Sequence, residues 1–241
     1  KTRERLIEQI PTIEKICPNW DTYGKSTIQD IFGSKLDKAI HKSAYEFHSC
    51  VLMNNGNGKF EMKDLPTEAQ LSPMFGTVVD DFNEDGIPDI LTHGNFYNTD
   101  METTRYDAGT GLLLLGKGNG EFTVVPSRIS GFWSKGDTKA LVVLLNEKKA
   151  PVYVCAGSNM PVGVFELTQT KTDMLKLSKQ DAYAIATLAN GAKRKMEFCA
   201  GSSYLSQCAK FIRVTPQIKQ VEVFDVNGTG KTIYPAVTAN K

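Results

Sequence analysis

The short phrase Gly-Asn-Gly-Lys/Glu-Phe occurs twice in the sequence, at 56–60 and again at 118–122. Asn-Gly pairs are strong signals for the turn of a β-hairpin, because both residues tolerate positive φ. Between the two copies lie three short apolar runs, FGTVV, DILTHG and GLLLLG, which favour β-strands. A group of about four strands that repeats at such a spacing is typical of a β-propeller blade or a related β-repeat.

Further strand-like segments extend this pattern on both sides. AYEFHSCVLM, which begins at residue 44, alternates larger apolar residues with smaller or polar ones and predicts a half-buried strand. Three more strand-like runs follow the second copy in the same order, namely ALVVLL, PVYVCAG and VGVFEL. The connection NEKKA between the first two lacks the series of acidic residues that connects FGTVV to DILTHG. From residue 181 onward, the turns NGAK and VNGTGK predict two more hairpins.

The N-terminal segment differs from the rest because its apolar residues recur at helical spacing in RERLIEQI, PTIEKIC, STIQDIF and SKLDKAIHK. Ser26, followed three residues later by Gln29, indicates a capping box at the start of the third helix. We therefore expect a mainly β protein with a partial set of propeller-type blades, a short helical lead-in and a small C-terminal β unit. The expected boundaries are 1–43 for the lead-in, 44–168 for the β-repeat region and 181–241 for the C-terminal unit, with the polar stretch 168–180 as a linker.

Composition excludes several classes of function. The formal net charge is only +1, which indicates neither nucleic acid nor an anionic membrane as a partner. No stretch approaches the roughly 20 apolar residues of a membrane-spanning helix. The five cysteines form no CxxC pair, so a zinc ribbon or a thioredoxin-type motif is not expected. Cys199 and Cys208 flank AGSSYLSQ and fit either a disulfide or two free thiols.

The most distinctive chemistry lies in VVDDFNEDGIPDIL, residues 78–91, where five acidic residues stand between apolar pairs. Counted from Asp81, the pattern is D-x-N-x-D-G-x-x-D, which directs alternate side-chain oxygens toward one point. Calcium is the expected ion, because it takes six to eight oxygen ligands and three aspartates offset its charge. The expected ligands are Asp81, Asn83, Asp85 and Asp89 by side chain and Ile87 by its carbonyl.

A loop rich in aspartate and glycine can also be an EF-hand or a turn that binds no metal. It is not an EF-hand, because position 12 is Thr92 where a bidentate Glu is needed. An Asp/Asn/Gly-rich turn held by side-chain-to-backbone hydrogen bonds would bind no metal. Asp80 is expected to be a solvated neighbour of the site rather than a ligand.

The segment FGTVVDDFNEDGIPDILTHGN, with its flanking GNGKF and GNGEF, resembles the FG-GAP or VCBS repeat of integrin-type β-propellers. MEFCAGSSYLSQCAKFIRV resembles the ASPIC/UnbV segment that follows such repeats, although Ser203 replaces a glycine and Cys208 a serine of the family phrase. The resemblance implies a calcium-stabilised, extracytoplasmic protein (secreted, cell-surface or periplasmic) that is concerned with adhesion or glycan handling. Since two blades and a remnant are too few to close a ring, we expect the chain to be the C-terminal part of a larger protein; the alternative is a shortened relative that packs its blades differently.

The segment 95–111, NFYNTDMETTRYDAGTG, is long for a connection within a blade, and long ordered loops often carry function. Tyr97 and Tyr106 offer rings for stacking on sugars, and Arg105 and Asp107 offer charged groups for hydrogen bonding. In the alternative interpretation, Arg105 and Asp107 pair with each other and the tyrosines pack between blades.

No catalytic motif stands out in the sequence. It contains no HExxH, no G-x-S-x-G elbow, no P-loop and no dinucleotide fingerprint, and His93 is expected to be packed or hydrogen-bonded. The prediction is a non-enzymatic, calcium-binding module with a glycan or an extracellular protein as partner. The alternative is an accessory part of a polysaccharide-acting enzyme, or such an enzyme itself, because the chain has many carboxylates and a glycosidase needs a pair of them.

Overall fold

The computed structural model describes residues 2–168 and 172–235. The chain forms two compact units, one that ends at Phe47 and one that begins at His48. The further division of the second unit into the expected regions 44–168 and 181–241 stays a prediction.

The first unit consists of short helices: α1 (Arg3–Gln9), α2 (Ile13–Ile16), α3 (Trp20–Lys25), α4 (Ile28–Phe32) and a 3₁₀ helix at Gly33–Lys38. Its small core contains Ile13, Cys17 and Ile31. The capping box of α4 is formed by Thr27 and Asp30, one residue later than expected. The reason is that the Ser26 hydroxyl donates to the Thr22 carbonyl at the end of α3, at 2.8 Å.

The second unit contains fifteen strands among its described residues. They are β1 (Cys50–Asn54), β2 (Phe60–Asp64), β3 (Gly76–Asp80), β4 (Asp89–His93), β5 (Leu112–Gly116), β6 (Phe122–Val125), β7 (Asp137–Leu145), β8 (Pro151–Ser158), β9 (Gly163–Glu166), β10 (Asp173–Lys176), β11 (Asp181–Leu188), β12 (Lys193–Glu197), β13 (Phe211–Val214), β14 (Ile218–Asp225) and β15 (Gly230–Tyr234). A 3₁₀ helix at Thr67–Gln70 and the helix α5 (Ser127–Ser130) complete the unit.

These strands form separate antiparallel sheets, so the expectation of a mainly β protein with a partial set of blades is confirmed. The sheet orders are β1-β2, β3-β4-β5-β6, β7-β8-β9, β10-β13 and β12-β11-β14-β15. The two copies of the repeated phrase occupy equivalent turns, one between β1 and β2 and the other between β5 and β6. In the second copy both glycines have the positive φ that such a turn requires, +82° at Gly118 and +83° at Gly120.

The hairpin of β1 and β2 packs on the turn between β5 and β6. The Lys63 ammonium donates to the Asn119 carbonyl at 2.9 Å, and the Met53 side chain lies against Gly120. Its other face leaves three large apolar side chains exposed, namely Leu52, Phe60 and Met62.

Two expected segments differ from the structure. The first strand begins at Cys50 rather than at residue 44, because its ladder with β2 ends at the pair Cys50–Asp64. The expected linker 168–180 contains β10, which pairs with β13 because Leu175 packs on the core of the C-terminal sheet. Residues 169–171 of that linker lie outside the described residues.

Three buried clusters hold the second unit together. One lies within the C-terminal sheet around Val221 and Val223, a second joins β3, β4, β7 and β8 around Leu141 and Tyr153, and a third lies under β4 and β5 around Leu114. All five cysteines are free thiols, so the disulfide considered for Cys199 and Cys208 does not form in this structure. No helix in the described ranges is long and apolar enough to span a membrane.

Candidate metal centre and neighbouring loop

The acidic loop connects β3 to β4, and the pairing of these strands sets its width. Asp80, the last residue of β3, stands opposite Asp89, the first residue of β4. The first and last expected ligands, Asp81 and Asp89, are therefore held near each other by an antiparallel ladder. A loop between two paired strands needs a sharp turn, and Gly86 supplies it with φ +88°.

Within the loop, the expected ligands accept hydrogen bonds from backbone N–H groups. The N–H of Gly86 donates to Asp81 Oδ2 at 2.9 Å and that of Ile87 donates to Asp85 Oδ1 at 2.7 Å. The Asn83 amide donates to Asp85 Oδ2 at 2.8 Å. These bonds are the ones expected for an Asp/Asn-rich turn, and they also preorganise the oxygens that a cation would need.

The second aspartate of the ladder, Asp89, is fully buried. It accepts from the N–H groups of Phe82 and Gly116, both at 2.8 Å, and so joins the loop to β5. Burial raises the pKa of its carboxyl group, and these hydrogen bonds offset only part of that effect. A carboxylate in this position would gain from a nearby positive charge.

One side-chain oxygen of the acidic loop has no hydrogen-bond partner among the residues that the structure describes. Asp81 is only 4% exposed, and its Oδ1 is buried without a hydrogen-bond partner anywhere in the described chain. Burial raises the pKa of the Asp81 carboxyl, and the Gly86 N–H and the Arg213 charge offset only part of this effect. A buried acceptor without a donor costs about 1–3 kcal/mol, so the site has chemistry that a bound cation would satisfy.

The side chains alone do not form a closed metal cage. Across residues 2–168 and 172–235, no three His, Cys, Asp or Glu side chains converge closely enough to hold a metal ion. The expected ligand set for a hard cation also draws on the Asn83 amide oxygen and the Ile87 carbonyl, and calcium accepts both kinds of oxygen.

Asp80 is not the solvated neighbour that was expected. The Arg213 guanidinium from β13 donates through Nε to Asp80, at 3.3 Å to Oδ1 and 3.2 Å to Oδ2. The Arg213 side chain is 2% exposed, and its Nη1 lies 4.0 Å from Glu84 Oε1. Its Nη2 is buried and has no partner among the described residues. No local pattern near either residue indicates this pair, which joins residues far apart in the chain.

The C-terminal sheet contacts the acidic loop at two further points. Arg194 on β12 donates through Nη2 to the Gly86 carbonyl, and the side chain of Gln217 lies against Gly86. Arg194 belongs to a turn whose basic residues would ordinarily be solvated. The loop is therefore held between its own blade and the C-terminal sheet.

The four expected ligand-binding residues lie on a neighbouring loop, and three of them contact one another. Arg105 Nε donates to Asp107 Oδ2 at 3.0 Å, and the Arg105 guanidinium lies 4.6 Å above the centre of the Tyr97 ring. Tyr106 pairs with Phe96 through two backbone hydrogen bonds and leaves its side chain half-exposed. The internal pairing of Arg105 and Asp107, which was the alternative interpretation, is therefore observed.

A buried polar group that the sequence only partly indicated lies at the end of β4. His93 is 2% exposed and its Nδ1 lies 3.0 Å from Ser134 Oγ. Burial lowers the pKa of His93 to about 4, although the Ala140 backbone offsets part of this effect. The expectation that His93 is packed and hydrogen-bonded is confirmed.

Comparison of the chain with protein-family models and with curated proteins finds no match. The resemblance of the acidic loop to FG-GAP or VCBS repeats, and of the C-terminal segment to ASPIC/UnbV, stays a prediction. Without this resemblance, the structure shows a mainly β protein of several small antiparallel sheets.

The Arg213–Asp80 pair yields a first prediction. Arg213→Met leaves the Asp80 carboxylate without its cation, and we expect the free energy of unfolding in urea to fall by about 3 kcal/mol. Adding Asp80→Asn removes the unpaired charge and should restore part of that loss. A double variant no more stable than Arg213→Met would show that the ion pair does not hold β13 against the acidic loop.

His93 yields a second prediction. A histidine with a lowered pKa stabilises the fold above pH 6.5, and that contribution is lost as the pH falls toward 4. We expect a loss of about 3 kcal/mol in the free energy of unfolding over that window. His93→Gln should flatten this part of the stability profile, whereas His41→Gln on the exposed N-terminal segment should not. Equal slopes in all three proteins would contradict the assignment.

Proposed function

We propose that this chain is a calcium-binding β-repeat module that acts outside the cytoplasm and binds a glycan or an extracellular protein, without catalysing a reaction. The observation that carries the calcium part is the buried, unpartnered Oδ1 of Asp81 within a loop of three aspartates. The partner part is supported by the exposed polar and aromatic side chains of the loop that contains Tyr97 and Tyr106.

Calcium fits this loop because the available donors are all oxygens and the protein supplies several of them, whereas magnesium usually keeps several waters and binds one or two carboxylates. Asp81, Asn83, Asp85 and Asp89 would hold the ion by side chain and Ile87 by its carbonyl. The ion would offset the charge of the carboxylates that burial disfavours, and its role would be structural, since these residues lie where β3 and β4 meet. Sites of this kind in extracellular modules bind calcium with a Kd of about 10⁻⁴–10⁻³ M, which supports a location where ambient calcium is high.

The partner surface is proposed on the loop 95–107. Its Arg105 and Asp107 side chains are 58% and 47% exposed, and the Tyr106 side chain is also half-exposed. The exposed Tyr106 ring offers stacking, and the fixed Arg105–Asp107 pair offers bidentate hydrogen bonding. Sugars and polar peptide surfaces use both kinds of interaction. Because Arg105 is held by both Asp107 and the Tyr97 ring, little ordering is needed when a partner binds.

The calcium site yields a third prediction. Calcium at about 100 times its Kd should stabilise the wild-type chain by about 2.7 kcal/mol and raise its Tm by roughly 5–10 °C. Asp85→Ala should abolish the rise, and Asp85→Asn, which keeps the side-chain shape, should reduce it. Asp107→Ala is the control and should keep the full rise. A rise of the same size in Asp85→Ala would refute the site.

The partner surface yields a fourth prediction, tested with the labelled chain on a broad glycan array, with calcium and with chelator. A glycan signal that needs calcium is expected to be lost in Tyr106→Ala, because the stacking ring is gone. Phe60→Ala removes another exposed ring, on β2, and should keep the signal. Silence of the folded wild-type chain on the array would remove glycans from the proposal and leave a protein partner. A signal retained by Tyr106→Ala would place the binding surface elsewhere.

A further inference from the structure

A cleft of about 450 Å³ lies between β3 and the C-terminal hairpin of β11 and β12. Two runs of consecutive residues line it, 77–81 from β3 and the start of its loop, and 194–198 from β12 and the residue after it. Because side chains alternate between the two faces of a strand, a run of consecutive lining residues means that the strand presents its edge. Two strand edges therefore meet the same cleft.

Both strands are the outer strands of their sheets. β3 begins the order β3-β4-β5-β6, and β12 begins the order β12-β11-β14-β15. In the part of the chain that the structure describes, each has backbone-to-backbone hydrogen bonds only to its one ladder partner. The outer N–H and C=O groups of an edge strand are the ones that an added strand can pair with.

The register identifies the free groups on β12. The N–H of Leu188 donates to the Ala192 carbonyl at 2.8 Å, and that of Phe198 donates to the Ala182 carbonyl at 2.9 Å. Since bonded and non-bonded pairs alternate along an antiparallel ladder, residues 194 and 196 also bond to β11. The backbone groups of Lys195 and Glu197 point the other way, toward the free edge.

The charges of the cleft balance. Its three acidic residues, Asp80, Asp81 and Glu197, face three basic ones, Arg194, Lys195 and Arg213. Two pairs are already formed, Lys195 with Glu197 at 2.6 Å and Arg213 with Asp80 at 3.2 Å. A ligand of either net charge would have to compete with these pairs, so the cleft matches an uncharged one.

The cleft also has exposed apolar surface and, among the described residues, one hydrogen-bond donor without an acceptor, and both indicate what kind of ligand it binds. Val79 is 61% exposed although it lies within a strand, and Phe198 and Phe211 line the same cleft. Arg213, which also lines it, has the buried Nη2 that lacks an acceptor. An extended peptide supplies apolar side chains, main-chain donors and carbonyl acceptors together, which a sugar does not.

We propose that this cleft binds an extended, uncharged segment of a partner protein, which adds as a strand to the edge of β12 and covers Val79. A residue within a sheet occupies about 160 Å³, from the rise along a strand and the spacings between strands and between sheets, so the cleft takes about three residues. This surface differs from the loop 95–107, and it shares Asp81 with the candidate calcium site.

The test uses the full chain and a displayed library of random octapeptides as the probe. We expect enrichment of uncharged peptides in which apolar residues alternate. The best synthetic peptide is then measured by fluorescence polarisation against Lys195→Pro and Lys195→Ala. Both variants lose the lysine side chain, but only proline removes the outward N–H, and proline is tolerated on an edge strand. We expect Lys195→Pro to bind about tenfold more weakly than Lys195→Ala.

A second variant guards against misfolding of the proline protein. Val79→Arg places a long charged side chain in the cleft and should abolish peptide binding. Val226→Arg, on the exposed turn between β14 and β15, should not affect it. The proposal is overturned if no peptide is enriched, if Lys195→Pro and Lys195→Ala bind equally, or if Val79→Arg still binds. Self-association of the wild-type chain in sedimentation, lost in Val79→Arg, would assign the cleft to a second copy and also overturn it.

Discussion

The buried guanidinium of Arg213 is the interaction on which the arrangement of the second unit depends. It comes from β13, more than a hundred residues along the chain from Asp80, and it lies beside Asp80, Glu84 and Asp81. A cation without access to water is costly unless it is paired, so β13 and the acidic loop must stay together for either to be stable. The two-stranded sheet of β10 and β13 is thereby held against the acidic loop.

The acidic loop is neutralised by two sources of positive potential, and each acts at a different place. Backbone N–H groups cover Asp85, Asp89 and one oxygen of Asp81. Arg213 covers Asp80. The remaining Asp81 oxygen is the point that neither source reaches. This division explains why the loop can form without an ion and still have a place for one, and it limits how much an added divalent charge would stabilise the protein.

The sequence predicted the parts of this molecule that depend on local chemistry. The two glycine-rich turns, the acidic turn with Gly86 at its centre, and the strands β3 to β5 and β7 to β9 follow from residue types within a few positions. The pairing of Asp80 with Arg213 could not be predicted, because it depends on how two sheets pack and nothing near either residue indicates the other. The capping box was misplaced by one residue for a related reason, since Ser26 and Thr27 are both good caps and only the end of α3 decides between them.

The charges on loop 95–107 show a further limit of prediction from the sequence. Arg105 and Asp107 are two residues apart, so both pairing with each other and reaching for a ligand were consistent with their spacing. In the structure they do pair, and they stay exposed while they do so. Pairing and recognition are compatible here because a fixed, exposed ion pair presents a donor and an acceptor in one geometry.

The hairpin of β1 and β2 has only two strands, one of which bears the first copy of the repeated phrase, and it leaves Leu52, Phe60 and Met62 exposed. The second copy sits in a four-stranded sheet. Isolated two-stranded hairpins are marginal in water, so the first copy should open locally at a lower free energy and exchange its amide hydrogens sooner. Two nearly identical five-residue phrases in one chain thus differ in the free energy of local opening, because the sheets around them differ in their number of strands.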